Sequence, residues 1–314
     1  MNIKNSILKY FRIAHDFGFS YTVRLLWYKA VVRSEDKATS LIEKRLFRDY
    51  EMYLHLQERG NENSSSEKPY VWCMWWQGED FMPDAVRICY ESQKKYISTG
   101  DAQYVLITKD NYNKYVDIPQ YIVNRLNQGL ITLTHFSDII RIFLLEKWGG
   151  LWVDSTLLFT KPINNSYFCQ PFFSINLNKT KYPPQGYGQK LTGCRWAGFC
   201  LGASHPHSAI FQYLKCAIME YWKEHDVLID YFIMNRLILM EYNNDDFYKN
   251  LIDNVPTSNV NLYRLLPRLN DAFDINDYNN IMKDTEMFKI SYKCKLEPHI
   301  GDKETIWGYM IKHI

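Results

Sequence analysis

Asp138, Arg141, Asp154 and Thr156 are the side chains whose types and spacing point to chemistry. They fall in two runs, SDIIR (Ser137 to Arg141) and EKWGGLWVDSTLLF (Glu146 to Phe159). The second run reads as a strand of heavy apolar residues carrying a carboxylate. A buried strand avoids an unpaired carboxylate because desolvating it is costly, so Asp154 has a partner or faces a polar ligand. Residues two apart on a strand share a face, which sets Trp152, Asp154 and Thr156 on one side. A carboxylate beside a hydroxyl offers hard oxygen ligands, suited to Mg²⁺ or Mn²⁺ that also holds a substrate diphosphate. Gly149 and Gly150 are expected to stop the preceding helix and let backbone approach a ligand closely. In SDIIR, Ser137 reads as an N-cap with Asp138 in the first turn. Asp138 and Arg141 then share a helix face; alone, such a pair is worth only about 0.2–0.5 kcal/mol as a surface contact.

The elements that must position these groups alternate in type. YVWCMWW (Tyr70 to Trp76) and QYVLIT (Gln103 to Thr108) read as buried strands, and PDAVRICYESQKKY (Pro83 to Tyr96) as a helix opened by proline. HFSDIIRIFLLEKW (His135 to Trp148) reads as a helix with Ile139, Ile142, Phe143 and Leu145 inward, and the strand through Asp154 follows it. This alternation predicts an open α/β sheet, whose ligands bind beyond the carboxyl ends of the strands.

Ahead of it, Ile3, Ile7, Phe11 and Ala14 recur at helical spacing among Lys4, Lys9, Arg12, Arg24, Lys29 and Arg33, with Asp16 the sole acid. That is a basic amphipathic helix, read either as lying on an anionic membrane surface or as packed on the main domain with a solvated basic face. A second helix is expected from Ala38 to Gln57, then a polar run, GNENSSSEKP, taken as a linker. The division is a helical extension with its linker over 1–66 and a main domain over 67–314.

The bulk properties exclude more than they assign. A formal charge of +2 gives no global pull toward nucleic acid. The seven cysteines include no CxxC pair, which argues against a zinc ribbon and for reduced thiols in a cytosolic protein. No run approaches the ~18 uncharged apolar residues of a membrane span. GxGxxG, GxxxxGK[ST] and HExxH are all missing, so His205 and His207 are discounted as zinc ligands. The Gly-rich run GCRWAGFCLGASHPHS (Gly193 to Ser208) is a candidate acceptor-side loop.

Taken as a block, SDIIRIFLLEKWGGLWVDST resembles the core of glycosyltransferases with a DXD sugar-binding region, most closely the capsular polysaccharide synthesis protein family. The resemblance extends to VWCMWWQGEDFMPDAVRICYESQKKY and VDIPQYIVNRLNQGLITLTHFSD, and more loosely to LIDYFIMNRLI and FKISYK. It implies a GT-A, Rossmann-like fold with a mixed, mainly parallel sheet flanked by helices and the N-terminal helical extension. It implies a retaining transferase using a nucleotide-diphosphate sugar, UDP-sugar first, with Mn²⁺ or Mg²⁺. The acceptor implied is a polysaccharide or lipid-linked glycan, at the cytoplasmic face of a membrane.

The roles implied are residue by residue. Asp138 and Arg141 contact donor sugar and phosphate; Asp154, as the first acid of DXD, touches ribose or sugar and organises the metal. These three are the catalytic candidates. Trp72 or Trp76 stacks the base, and Gln77, Gly78, Ser137, Gly150, Lys289 and Lys293 complete the donor site. Thr156 stands where the second acid of DXD is expected, bringing a hydroxyl but no charge; His299 is a late candidate metal ligand. Asp230 is expected near the acceptor or as a helix cap. The rival reading is a catalytically silent homologue that binds polysaccharide or a synthase partner, which Thr156 favours; a membrane-surface adaptor is a third.

Overall fold

The computed structural model describes residues 3–51, 68–98, 102–179 and 187–313. Three helices lead: α1 (Ile3–Phe17), α2 (Phe19–Leu26) and α3 (Glu35–Tyr50). Next come β1 (Tyr70–Met74), α4 (Asp84–Ser98), β2 (Gln103–Ile107), α5 (Gln120–Asn127), α6 (Leu133–Trp148), β3 (Gly150–Val153) and β4 (Leu157–Phe159). The chain continues through β5 (Phe173–Ser174), α7 (Tyr187–Thr192), β6 (Cys200–Ala203), α8 (Ala209–Glu224), α9 (Ile233–Asn244) and α10 (Asp246–Asp253). It closes with α11 (Ile275–Met282), β7 (Met287–Lys289), β8 (His299–Ile300), β9 (Lys303–Glu304) and α12 (Ile306–His313).

The central sheet has five strands in the order β2-β1-β3-β6-β5. β1 runs parallel to β2 and β3, while β6 is antiparallel to both β3 and β5. Apolar side chains fill both faces of β1 and β3, as expected where helices cover a parallel core. The mixed α/β sheet flanked by helices is the architecture expected from the alternating pattern. A separate ribbon pairs β4 with β7, setting Leu157 opposite Lys289. That pairing brings a residue from late in the chain beside the end of β3.

Two boundaries differ from the sequence expectation. The strand ends at Val153, and Asp154 to Leu157 form a turn closed by the Leu157 N–H on the Asp154 carbonyl at 3.0 Å. Trp152, Asp154 and Thr156 therefore do not share one strand face. Buried Gln93 fastens the turn, its Nε2 donating to the carbonyls of Leu157 (2.7 Å) and Asp154 (3.1 Å). The helix before it starts earlier, at Leu133, because Thr132 caps it by accepting the His135 N–H. Ser137 is thus not an N-cap, and Asp138 lies in the second turn.

Gly149 does end α6, with φ 67°. Gly150, at φ 87°, serves packing rather than ligand approach: a Cβ there would sit 2.2 Å from the Tyr70 carbonyl oxygen. It opens β3, whereas Asp154 follows the strand's other end.

The N-terminal helices share the main core. Ile13, Phe17, Leu25, Ile42, Leu46 and Tyr50 are buried in one cluster with Trp72, Trp152 and Tyr221. Asp16 accepts the N–H groups of Asp226 and Val227, and Glu43 meets Arg236 at 3.2 Å. The apolar stripe read on α1 is partly outward: Ile7 is 51% and Phe11 70% exposed, while Ile13 and Phe17 turn inward. The linker, the end of the second expected helix and the 66/67 boundary lie outside the described residues. Among the described residues no helix is long and apolar enough to cross a membrane, and all seven cysteines are free.

Candidate functional site

α6 and the turn after β3 converge at the carboxyl end of the parallel strands. Arg141, 5% exposed, projects from α6 between two carboxylates. Its Nη1 is 3.1 Å from Asp138 Oδ1, and its Nη2 is 3.1 Å from Asp154 Oδ1. Nη1 also donates to the Gly198 carbonyl, and the guanidinium lies 4.7 Å from the Trp152 ring centroid. Arg141 Nε is buried with no hydrogen-bond partner among the described residues.

Asp154 is the hub. Oδ1 also accepts the Trp152 indole N–H at 2.9 Å, and Oδ2 lies 3.2 Å from Lys289 Nζ. The same ammonium donates to Thr156 Oγ1 at 2.5 Å and sits 4.7 Å from the Phe199 ring centroid. Burial alone would push the Asp154 carboxyl up; Lys289, Arg141 and the Trp152 N–H outweigh it and hold it below the usual range. Asp138 goes the other way, to about 6: burial dominates, Arg141 opposes it, and the charge on Asp154 adds to the rise.

These groups open onto a pocket of about 250 Å³ lined by Asp138, Arg141 and Asp154. The opposite wall comes from Trp196 to Phe199 and from Tyr231 to Asn235. Trp196 donates its indole N–H to Asn235 at 3.0 Å, which fixes that amide beside the guanidinium. Gly198 lies close to this wall: a Cβ there would stand 3.0 Å from the flexible Met234 methyl and 3.6 Å from Arg141 Nη1. The Gly-rich run and the LIDYF segment were singled out in the sequence, but Asn235, Trp196 and Tyr231 were not assigned roles. The signal available was Asn235 four residues after Tyr231, beside aromatic residues.

The remaining candidates divide. Trp72 is fully buried, donates to the Gly149 carbonyl at 2.9 Å and stacks on Tyr70 at 4.5 Å. Exposing its ~200 Å² would forfeit about 5 kcal/mol, so it is a core residue and not a base platform. Trp76 is half-buried past the end of β1, against Tyr112 and Phe136 at 5.3 and 5.1 Å. Gln77 is exposed and Gly78 turns with φ 91°; neither lines the pocket. Ser137 is half-buried on α6. Lys293 is exposed, 5.9 Å from the Tyr292 ring, and that ring meets Trp75 edge-on at 5.7 Å.

Asp230 is nearly buried in the turn before α9, whose N-cap is Phe232 and carries no side-chain cap bond. Its Oδ1 accepts the Phe232 N–H at 3.1 Å, and Oδ2 binds the buried Arg236. His207 pairs with Glu146 at 2.8 Å, and His205 contacts the Pro206 carbonyl at 2.9 Å.

The metal expectation does not fit the side chains as they stand. The two oxygens meant for the ion, Asp154 Oδ2 and Thr156 Oγ1, are bridged by the Lys289 ammonium. His299 is exposed on the β8–β9 hairpin opposite Glu304 and does not line the pocket. Among the described residues no three His, Cys, Asp or Glu side chains gather as a metal site. A divalent ion would first have to displace a cation already paired there.

Comparison with known proteins places this geometry in context. A solved structure titled "WbbM bifunctional glycosytransferase apo structure" is similar over 81% of this chain at 11% identity, with a TM-score of 0.37. This chain spans half the length of that one. Curated proteins give no match. The family model described as "Capsular polysaccharide synthesis protein" matches residues 23–309, which include α6, β3 and every wall of the pocket. The chain belongs to the capsular polysaccharide synthesis protein family.

Proposed function

We propose that this protein is a glycosyltransferase of GT-A type that moves a sugar from a nucleotide-diphosphate sugar, a UDP-sugar first among them, onto a polysaccharide or lipid-linked glycan. The observation that carries this reading is the convergence of Asp138, Arg141 and Asp154 at one pocket beyond the strand ends, with Lys289 paired to Asp154. Breaking the bond between sugar and diphosphate leaves negative charge on the departing phosphate. Fixed donors and cations aimed at that charge stabilise it without reorganising during the reaction.

Arg141 and Lys289 are the cations available. Asp138 and Asp154 hold the guanidinium from two sides, so its direction is set before substrate arrives. Lys289 takes the place anticipated for a divalent ion, and no step in this account runs through a metal. Trp76 remains the base-stacking candidate, because it is half-buried at the strand end. Asn235 and Tyr231, across the pocket, suit sugar hydroxyl groups. Retention at the anomeric carbon is part of the proposal and is read from the product by NMR.

A second reading rests on charge balance. Two carboxylates face two cations, so the cluster is already neutral. A silent homologue that binds a glycan without turnover would keep such a closed network. A panel of nucleotide sugars separates the two: the transferase releases nucleoside diphosphate, slowly to water and faster with acceptor, and Asp154→Asn abolishes this. Binding without release supports the silent reading; neither binding nor release sinks both.

A further inference from the structure

Helices α1 and α2 carry a feature that the pocket does not use. Of the sixteen large hydrophobic side chains exposed among the described residues, eight lie between Ile7 and Val32. Ile7 and Phe11 follow one another by a turn on α1; Phe19, Val23 and Trp27 do so along α2 and beyond it. Phe11 is 70%, Phe19 78% and Trp27 55% exposed. The opposite sides of the same helices supply Ile13, Phe17 and Leu25 to the core. The fold is therefore satisfied without the outer stripe, and large apolar side chains left outside mark a contact surface.

Its charge says what it contacts. Lys9, Arg12, Arg24, Lys29 and Arg33 are all exposed around the stripe. The only acid from Ile7 to Arg33 is Asp16, which is occupied by the N–H groups of Asp226 and Val227. Aromatic and aliphatic tips among lysines and arginines suit an interface where headgroups are anionic and acyl chains lie just below. A second copy of the same face would set cations against cations.

We propose that α1 and α2 form a docking face for an anionic phospholipid bilayer, with Ile7, Phe11, Phe19, Val23 and Trp27 entering the headgroup layer. The face adjoins a groove of about 450 Å³ lined by Leu8, Lys9 and Arg12 on one side and Leu130, His135 and Tyr231 on the other. Tyr231 also lines the pocket that holds Asp154. Docking thus turns toward the bilayer a groove that shares Tyr231 with the pocket.

The test is flotation of the full chain with vesicles of phosphatidylcholine alone or with phosphatidylglycerol added. The expected result is at least tenfold more protein floating with the anionic vesicles, reduced by salt. Phe11→Ser with Trp27→Ser, and separately Arg24→Glu with Lys29→Glu, each lower flotation tenfold or more. All four positions are exposed, and an unchanged thermal midpoint verifies folding. Equal flotation on neutral vesicles, no flotation, or variants that float like the parent overturns the proposal. So does light scattering that shows a dimer dissociated by the Phe11 and Trp27 pair without any vesicle binding. Nucleotide-sugar turnover in solution is read separately, so a failed transferase reading leaves this result interpretable.

Discussion

Two arginine networks sit in this molecule, one around Arg141 and one around Arg236. Each guanidinium is held by two carboxylates: Asp138 and Asp154 in the first, Asp230 and Glu43 in the second. They differ in what lies on the open side. Arg236 is fully buried, and its acids join α9 and the preceding turn to α3. Arg141 is nearly as buried, but its carboxylates line a pocket and a lysine from a distant strand completes the set. An arginine between two acids is thus a fastening in one place and, on the proposed reading, an anion site in the other.

Conservative and severe substitutions break this comparison in opposite directions. Arg236→Ala strands buried Asp230 and should cost about 3–5 kcal/mol of stability, seen as a lowered denaturation midpoint. The folded fraction should keep its KM for donor. Arg141→Lys keeps one charge but loses the planar fork, and turnover should fall about 10²–10³-fold with a far smaller loss of stability. If both variants lose stability and activity in parallel, the distinction between fastening and site is wrong.

The pH profile sharpens it next. Asp138 stands raised, at about 6, from burial, so its brace on Arg141 is charged only above that value. kcat/KM should fall about tenfold per pH unit below 6, and Asp138→Asn should remove that limb. Because the folded value lies above the ordinary carboxylate range, the stability linked to Asp138 is full below that range. It is lost as pH rises through 6. Asp154, held low, contributes stability above the ordinary range that disappears as pH falls through its lowered value.

Gln93 gives the smallest expected effect. It touches no pocket residue's charge but ties the Asp154 turn to α4, with Tyr104 donating to its Oε1 at 2.8 Å. Gln93→Leu should cost about 1–3 kcal/mol by taking the side-chain donor from the Leu157 carbonyl, while the Asp154 carbonyl keeps the Leu157 N–H. It should lower turnover about tenfold through the displaced turn, with donor KM little changed.

The alternation of strands and helices was legible because its apolar runs are long and its breaks are sharp. Asp138, Arg141 and Asp154 were legible because local spacing and the family pattern agreed. What failed was boundary chemistry. Thr132 and Ser137 are equally good caps by type, and only the apolar Leu133 and Phe136 between them favour the earlier start. Asp-Ser-Thr fits both strand alternation and a turn, and the turn prevailed because Gln93 supplies its missing hydrogen bonds. The Lys289 bridge was beyond local reading, since it depends on β4 pairing with β7 across more than a hundred residues. Trp72 misled for a related reason: an aromatic run does not say which ring faces the core.

Calorimetric titration of UDP in the presence of EDTA, into the parent protein and Lys289→Ala, tests the central claim most directly. The account predicts binding without free divalent ion, weakened about 10–100-fold by loss of the ammonium. Binding that requires added Mn²⁺ and is indifferent to Lys289→Ala would contradict it.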